Sequence, residues 1–549
     1  MQIGLVLGTR PISPLEFWIG VDEGRVIELD QVVYAVTDLG DKEVKFYGII
    51  QEVQKFLEGP SMVYEDRLFR EGACPANVAY VAKVSVTRVE PEFFVPPQPG
   101  DPVYLAEGEE LERALYYDQM KVRIPAGLTR NGQIVYLNYH FLNGVEGAHV
   151  SISGMSGVAT KTSYALFLLY SVLKKGSDIR KHGIIFNVKG KDLLWIDKRN
   201  KNLSPEDEDA LRKMGFEPEP FSDVRFYVPP HKNDPYKPDC ERYDDRVTPF
   251  YWSMLDFAEN GLIRFMFAEE EEGKSQVPYV VEKIATQLHI RAQRSKSLGV
   301  LTDSYGREID SLQKLEELLK EAIEESEKGN KDIYREWFGD SSLQTARAFL
   351  RRFSRASMHI GRFVRGTVSS PIDWESSKVS VIDISGLHHI AQMFVVGAVL
   401  KRLFEEKESR STPEPKVFVV LDELNKYAPR DGWSPIKDVI LDIAERGRSL
   451  GVILIGAQQT ASEIEKRVLA NSAIKVVGRL DSSEVLSKEY EFLMGNFRQR
   501  ALLLKKGSMI LHQPDIPTPL MVRFPKPPWA TRREEVKEEI SVPEEFGNF

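Results

Sequence analysis

The hydrophobic pattern changes character along the chain. Over the first hundred residues, short apolar runs alternate with turn residues: IGLVLG (Ile3 to Gly8), QVVYAV (Gln31 to Val36), VKFYGII (Val44 to Ile50) and VAYVAKVSVTRV (Val78 to Val89). Four or more strands at this spacing predict a small barrel or sandwich. The stretch PPQPGDP, Pro96 to Pro102, then reads as a proline-rich hinge.

After the hinge, apolar runs alternate with helical stretches: HVSISG (His149 to Gly154), IIFNV (Ile184 to Val188), VSVIDIS (Val379 to Ser385), VFVVLDE (Val417 to Glu423), GVILIGA (Gly451 to Ala457) and AIKVVGRL (Ala473 to Leu480). Continuous runs rich in Val and Ile suit strands buried on both faces, and helices between them predict a parallel α/β sheet. From about Asn200 to Arg365 strand signals nearly vanish, and SLQKLEELLKEAIEESEKG (Ser311 to Gly329) shows a capped amphipathic helix. Ser311 caps it, Leu312, Leu315, Leu318, Leu319, Ala322 and Ile323 form its stripe, and Gly329 ends it. The expected organisation is a β-rich domain over 1–105, the first part of an α/β core over 106–199, and a helical insertion over 200–370. The second part of the core follows over 371–525 and an extended tail over 526–549.

Composition narrows the class. A chain of 549 residues has room for three to four domains at roughly 150 residues each. Hydrophobic residues are 42% and charged residues 28%, which excludes fibrous and wholly disordered readings. A net charge of −9 excludes a generally basic nucleic-acid coat but leaves room for a local basic pore. Two cysteines, Cys74 and Cys240, build neither a disulfide framework nor a cysteine-rich zinc site. MQIGLVLGTRPIS lacks the positive start of a signal peptide, and the apolar stretches at Ala165 to Leu173 and Ile390 to Leu400 are about half of a membrane span. A cytoplasmic protein with no membrane partner is expected.

Three motifs carry chemistry. GMSGVATKTS, Gly154 to Ser163, lies between a strand and a helix. A glycine turn running into Lys-Thr at a helix start is the layout of a P-loop, with backbone N–H groups around phosphates, a lysine at the terminal ones and a hydroxyl on Mg²⁺. The spacing is one residue longer than usual from Gly154 to Lys161, and Thr160 stands where the second glycine is usual. KVFVVLDELNKY ends an apolar strand in Asp422-Glu423, which fits a Walker B pair: the Asp supports Mg²⁺ and the Glu polarises water. GVILIGAQQTAS delivers Gln458 and Gln459 at the carboxyl end of another strand, where ligands of open α/β sheets bind. Arg446, Arg448 and Arg479 read either as cations for a developing phosphate charge or as surface arginines.

In this order, GMSGVATKTS, VSVIDISGL, VVLDELNKYAPRD, ERGRSLGVILIGAQQTAS and IKVVGRL resemble the HerA branch of the HerA–FtsK family of hexameric ring-shaped DNA translocases. The resemblance takes in the β-rich segment, the insertion and the tail. It implies a RecA-like P-loop motor domain with a helical insertion, preceded by a small β-barrel. It further implies an ATPase that pumps double-stranded DNA as a homohexamer beside a partner nuclease such as NurA in DNA end processing. HerA-like proteins also occur as the ATPase half of anti-phage complexes with a different effector, so a scaffold or regulator of a defence effector is the alternative. Carried over by position, Gly154, Ser156, Gly157, Val158, Ala159, Thr160, Lys161, Thr162 and Ser163 bind ATP, and Thr162 and Asp422 hold Mg²⁺. Asp422 and Glu423 are then the Walker B pair and Gln458 the polar sensor, which senses the γ-phosphate or helps orient water.

Two further departures stand out. Ala148-His149 occupies the place where the family pattern has an arginine finger, and the second strand ends in Asn187-Val188-Lys189 where an acidic residue is expected. Loops after the core strands offer Lys189, Lys191, Lys426, Arg430 and Lys437 as DNA contacts or as plain surface charges. A reading from another class, a monomeric P-loop kinase or metabolic ATPase, needs a substrate pocket; the insertion can serve as its lid, but no second constellation of substrate-binding residues is evident.

Overall fold

The structure, a computed structural model, describes residues 1–58, 67–68, 71–72, 77–155, 161–190, 192–267 and 276–537. The chain divides into two compact units, Met1–Phe141 with Ala473–Phe524, and Leu142–Ser472 with the segment from Pro525 onward.

In the first unit, β1 (Gln2–Val6), β2 (Glu16–Val21), β3 (Val32–Asp38), β4 (Glu43–Glu58), β5 (Asn77–Glu90) and β6 (Pro102–Leu105) close a barrel in the order β1-β2-β5-β4-β3-β6. Alternation in the strands puts Phe17, Ile19, Val33, Ala35, Phe46, Ile50, Val84 and Val103 inside. The long strand β4 bends at two bulges, and Gly48 sits at one of them because a Cβ there would meet the Ser85 carbonyl oxygen at 2.5 Å. The expected hinge at Pro96 to Pro102 is part of this closure: Gly100 N–H donates to the Val6 carbonyl and Val6 N–H to that of Asp101. A hairpin of β7 (Arg123–Leu128) and β8 (Ile134–Asn138) follows.

The second unit is built on seven parallel strands: β9 (Val150–Ser153), β10 (Lys181–Asn187), β11 (Val224–Val228), β12 (Val247–Pro249), β13 (Val379–Asp383), β14 (Lys416–Asp422) and β15 (Val452–Gln458). Their order is β12-β11-β13-β10-β14-β15-β9. One strand, β15, lies between the putting-forward strand β9 of the Lys-Thr turn and the acidic strand β14, which is the RecA-like arrangement the sequence resemblance implies. Every residue of β13, β14 and β15 is buried, as their unbroken apolar runs predict. Helix α1 (Lys161–Lys175) follows β9.

Within residues 200–370, read as a helical insertion with few strand signals, β11 and β12 extend the parallel sheet. Both are short, and Pro229 and Pro249 punctuate them, so their apolar signal is weak. The helices α2 (Val277–Ser295), α3 (Leu312–Glu327) and α4 (Leu343–Ile360) pack with α5 (His389–Arg410) into one apolar core. Helix α3 forms as its pattern predicts: Ser311 accepts from the Lys314 N–H at 3.3 Å and the whole Leu312-to-Ile323 stripe is buried. Helix α6 (Pro435–Leu450) starts at a Ser434 cap and a first-turn proline. It stops at Gly451, in the left-handed region, where a Cβ would meet the Pro413 carbonyl oxygen at 1.9 Å.

The segment read as the end of the core divides differently. The run AIKVVGRL forms β16 (Ile474–Val477), which pairs antiparallel with β17 (Ser508–His512), itself paired with β18 (Leu520–Arg523), and β18 meets β7. Arg500 holds Asp30 at 2.7 Å and Gln51 donates to Thr518 at 3.2 Å, so this segment belongs with the barrel unit. An apolar run buried on both faces reads alike in parallel and antiparallel pairing, so only its partners decide the assignment.

Part of the expected extended tail is packed. Trp529, 1% exposed, lies 5.1 Å from the Tyr170 ring and 4.6 Å from the Phe221 ring, and Thr531 accepts from the Leu193 N–H. Among the described residues no helix is long and apolar enough to cross a membrane. Trp529→Ala is expected to destabilise the second unit by about 3–5 kcal/mol, the usual cost of emptying an aromatic site. Urea unfolding checks this, and a loss near zero would make the tail dispensable to the fold.

Candidate nucleotide site

Residues at the carboxyl ends of β9, β14 and β15 meet at the first turn of α1. Lys161 is 5% exposed, and its ammonium donates to the Gly154 carbonyl at 2.6 Å. Burial pushes its pKa down to about 8, against the attraction of Asp422 and Glu423. The next residue, Thr162, donates its hydroxyl to Asp422 Oδ2 at 2.7 Å. The sequence-predicted metal pair is therefore in direct contact, across 260 residues of chain. Gly154 N–H also donates to the Gln458 carbonyl at 3.2 Å, joining the ends of β9 and β15. Ser163 lies in the same first turn of α1. Ser156, Gly157, Val158, Ala159 and Thr160 lie outside the described residues.

The acidic pair is buried, with Asp422 at 4% and Glu423 at 7% exposure. A buried ionised carboxylate without a partner costs several kcal/mol, so cations must accompany it. They do: Lys189 Nζ lies 3.0 Å from Glu423 Oε1 and 3.7 Å from Asp422 Oδ2, and Lys426 pairs with Glu423 Oε2. Burial works to raise the Glu423 pKa, but the two lysines win and hold it below the ordinary carboxylate range. Glu423 itself sits in the left-handed region at φ 58°, where the chain turns sharply out of β14. The lysine that stands in place of the expected acid at the end of β10 is thus part of the site.

Gln458 is fully buried. Its Nε2 donates to Ser151 Oγ at 2.7 Å and Ser153 Oγ at 3.0 Å, while Oε1 has no partner among the described residues. An unpartnered buried acceptor is costly and suits a donor such as a water. The two serines escaped the sequence reading. Their signal was legible, since Ser151 and Ser153 are two apart on one face of a strand that is otherwise apolar. Asn187 and Asp383 were missed as well. Each ends its strand, and the Asn187 amide donates to Asp383 at 3.0 Å. Burial raises the Asp383 pKa, against its bonds to Ser385 and Asn187.

The remaining candidates separate. Arg446 pairs with Glu408 and lies over the Phe404 ring. Arg448 donates to the Gly144 carbonyl at 3.1 Å and the Val145 carbonyl at 2.6 Å, which ties the end of α6 to the loop before β9. Arg479 is exposed, and no hydrogen bond or ion pair holds it among the described residues. His149, in the finger position, accepts from the Leu454 N–H at 2.9 Å, and burial lowers its pKa to about 4. It is a neutral structural residue. Of the DNA-contact candidates, Lys437 is overturned: 7% exposed, it donates to the Arg430 and Gly432 carbonyls and pairs with Glu465 at 2.9 Å. A buried ammonium needs those partners, which keep it from a DNA strand. Lys189 and Lys426 are held by the acids, Arg430 follows the Tyr427 turn with its N–H bonded to the Glu463 carbonyl, and Lys191 lies outside the described residues.

The oxygens of Thr162 and Asp422 fit Mg²⁺, the Lys161 ammonium fits a nucleotide phosphate, and Gln458 Oε1, without a partner among the described residues, fits a water. Removing one cation from the acidic pair should favour an incoming one. Lys189→Ala is expected to lower the Mg²⁺ concentration that supports binding of a fluorescent ATP analogue by about twofold to fivefold, the scale of a half-exposed ion pair. An unchanged or higher Mg²⁺ requirement would count against Lys189 as a competitor for the acids.

No family model and no curated protein matches the chain. Among solved structures it is similar to plasmid coupling protein TrwB in complex with a non-hydrolysable GTP analogue, at 14% identity and a TM-score of 0.48, over 79% of this chain and 96% of that one. It is similar to VirB4 of Thermoanaerobacter pseudethanolicus at 14% identity and a TM-score of 0.44, over 74% and 96% of the two chains. The genome packaging NTPase B204 from Sulfolobus turreted icosahedral virus 2, with ATP-gammaS, matches at 13% identity and a TM-score of 0.21, over 27% and 70%.

Proposed function

We propose that this chain is an ATP-driven motor of the HerA–FtsK kind that pumps double-stranded DNA as a homohexamer, beside a partner nuclease in DNA end processing. The observation that carries the ATPase reading is the contact of Thr162 with Asp422, which joins the two halves of a P-loop site with Glu423 next along the chain. The DNA and ring parts of the reading rest on the ordered series of motifs in the sequence.

Bound Mg·ATP supplies the phosphoryl group and a cation that draws charge from its oxygens. The chain's residues do the rest. Lys161 brings an ammonium to the phosphates, and Thr162 with Asp422 orients the metal side. Glu423, kept ionised by Lys189 and Lys426, accepts a proton from water. Gln458, pinned through Nε2, offers Oε1 to that same water. One observation favours the second reading, a HerA-type scaffold or regulator of an anti-phage effector. Glu423 is clamped by two lysines, which suits a site whose turnover waits on another event.

Lys161→Ala is expected to weaken nucleotide binding, and Glu423→Gln to retain binding while lowering turnover on the order of a hundredfold or more, the scale of a lost general base. Unchanged steady-state ATPase rates in both variants would remove the site assignment. Of the three arginines, Arg479 is the one without a partner among the described residues, so it is the candidate to reach a neighbouring subunit's nucleotide. Mixing Lys161→Ala with Arg479→Ala is expected to restore part of the ATPase activity that each lacks alone. No recovery in rings shown to mix would rule out Arg479 as the shared cation.

A further inference from the structure

The insertion segregates charge. Helix α3 carries six glutamates and two lysines, whereas α4, LQTARAFLRRFSRASMHI, carries four arginines and a histidine with no acid. The apolar side of α4 is buried through Ala346, Phe349, Phe353, Ala356 and Ile360, which turns Arg347, Arg351 and Arg355 to solvent at intervals of four. Elsewhere in this segment Arg264 pairs with Glu282, Arg307 with Asp303 and Glu321, and Arg362 with Asp239, whereas Arg294 and Arg335 are exposed without an acid among the described residues. Arg347 is paired, with Glu327. Arg351 and Arg355 are exposed and have no hydrogen bond or ion pair among the described residues.

The face ends in a pair of imidazoles. His359 stacks on His388 with ring centroids 3.6 Å apart and planes within 5°. His388 caps α5 immediately after the carboxyl end of β13, and its Nδ1 accepts from the Ile390 N–H at 3.3 Å. Since β13 is the neighbour of β10, whose end leads to Lys189, this basic face reaches the same edge of the sheet as the candidate nucleotide site.

We propose that the solvent face of α4, through Arg351 and Arg355 and beside the His359–His388 stack, binds the phosphate backbone of duplex DNA. This rests on the motor reading above. The argument is charge complementarity. On a chain of net charge −9, two guanidiniums one helical turn apart, about 6 Å along the axis, are left uncompensated among the described residues, on a helix that carries no acid. Arginine presents a planar fork of donors that matches phosphate oxygens, and backbone contacts of this kind are blind to sequence.

The test is fluorescence anisotropy with a labelled duplex, titrated from about 50 to 200 mM salt. Each phosphate contact contributes about 0.9 to the slope of log affinity against log salt, so Arg351→Gln/Arg355→Gln is expected to lower that slope by about 1.8. ATP turnover without DNA and the thermal melt should stay as in the wild type, while stimulation by DNA falls. The control Lys314→Gln/Lys320→Gln, on acidic α3, should leave the slope unchanged. A wild-type chain that binds duplex with the same slope as the arginine variant overturns this surface alone. A wild-type chain that binds no duplex at all overturns the motor reading and this surface with it.

Discussion

Two carboxylates at the end of a strand buried on both faces set the terms for the candidate site. Asp422 and Glu423 are 4% and 7% exposed because β14 lies between β10 and β15 in a parallel sheet covered by helices. Such a pair cannot stay ionised without cations and donors close by. The neighbouring strands and helix supply them: Thr162 from α1, Lys189 after β10, and Lys426 from the turn that follows β14 itself. Each of these residues holds its place by answering the charge of the same two side chains.

The same constraint explains why a lysine replaces the expected acid after β10. A third carboxylate there would add like charge to a buried pair, whereas an ammonium offsets it. The result is a site in which Glu423 remains a carboxylate but is held from two sides. Gln458 is arranged by the opposite logic. It carries no charge, so two serine hydroxyls suffice to pin its amide, and one buried acceptor has no partner among the described residues.

Outside the sheet, charge is distributed by helix rather than mixed residue by residue. Acidic α3 and arginine-rich α4 bury their apolar sides in the same core, so their charged sides are fixed in direction by packing. A lone arginine on such a surface carries little information. Two that stand one turn apart on a helix without acids, with no ion pair among the described residues, mark the face as different.

Much of this was legible from residue pattern alone. Runs such as VFVVLDE and GVILIGA suit strands covered on both sides, and such strands carry Asp422, Glu423 and Gln458 at their carboxyl ends. The stripe of α3 and its Ser311 cap are likewise local, set by the helical repeat over a single segment. What remained hidden depends on contacts distant in sequence. Lys437 and Lys189 are both lysines after core strands, but only the packed chain shows that one is sealed under carbonyls and Glu465 while the other meets the acidic pair. The run AIKVVGRL reads as a buried strand, yet its antiparallel partner β17 places it with the barrel unit. Periodicity reports which faces of a segment are covered. It does not report what covers them, and for charged side chains that choice of partner is what separates a surface, a strut and a site.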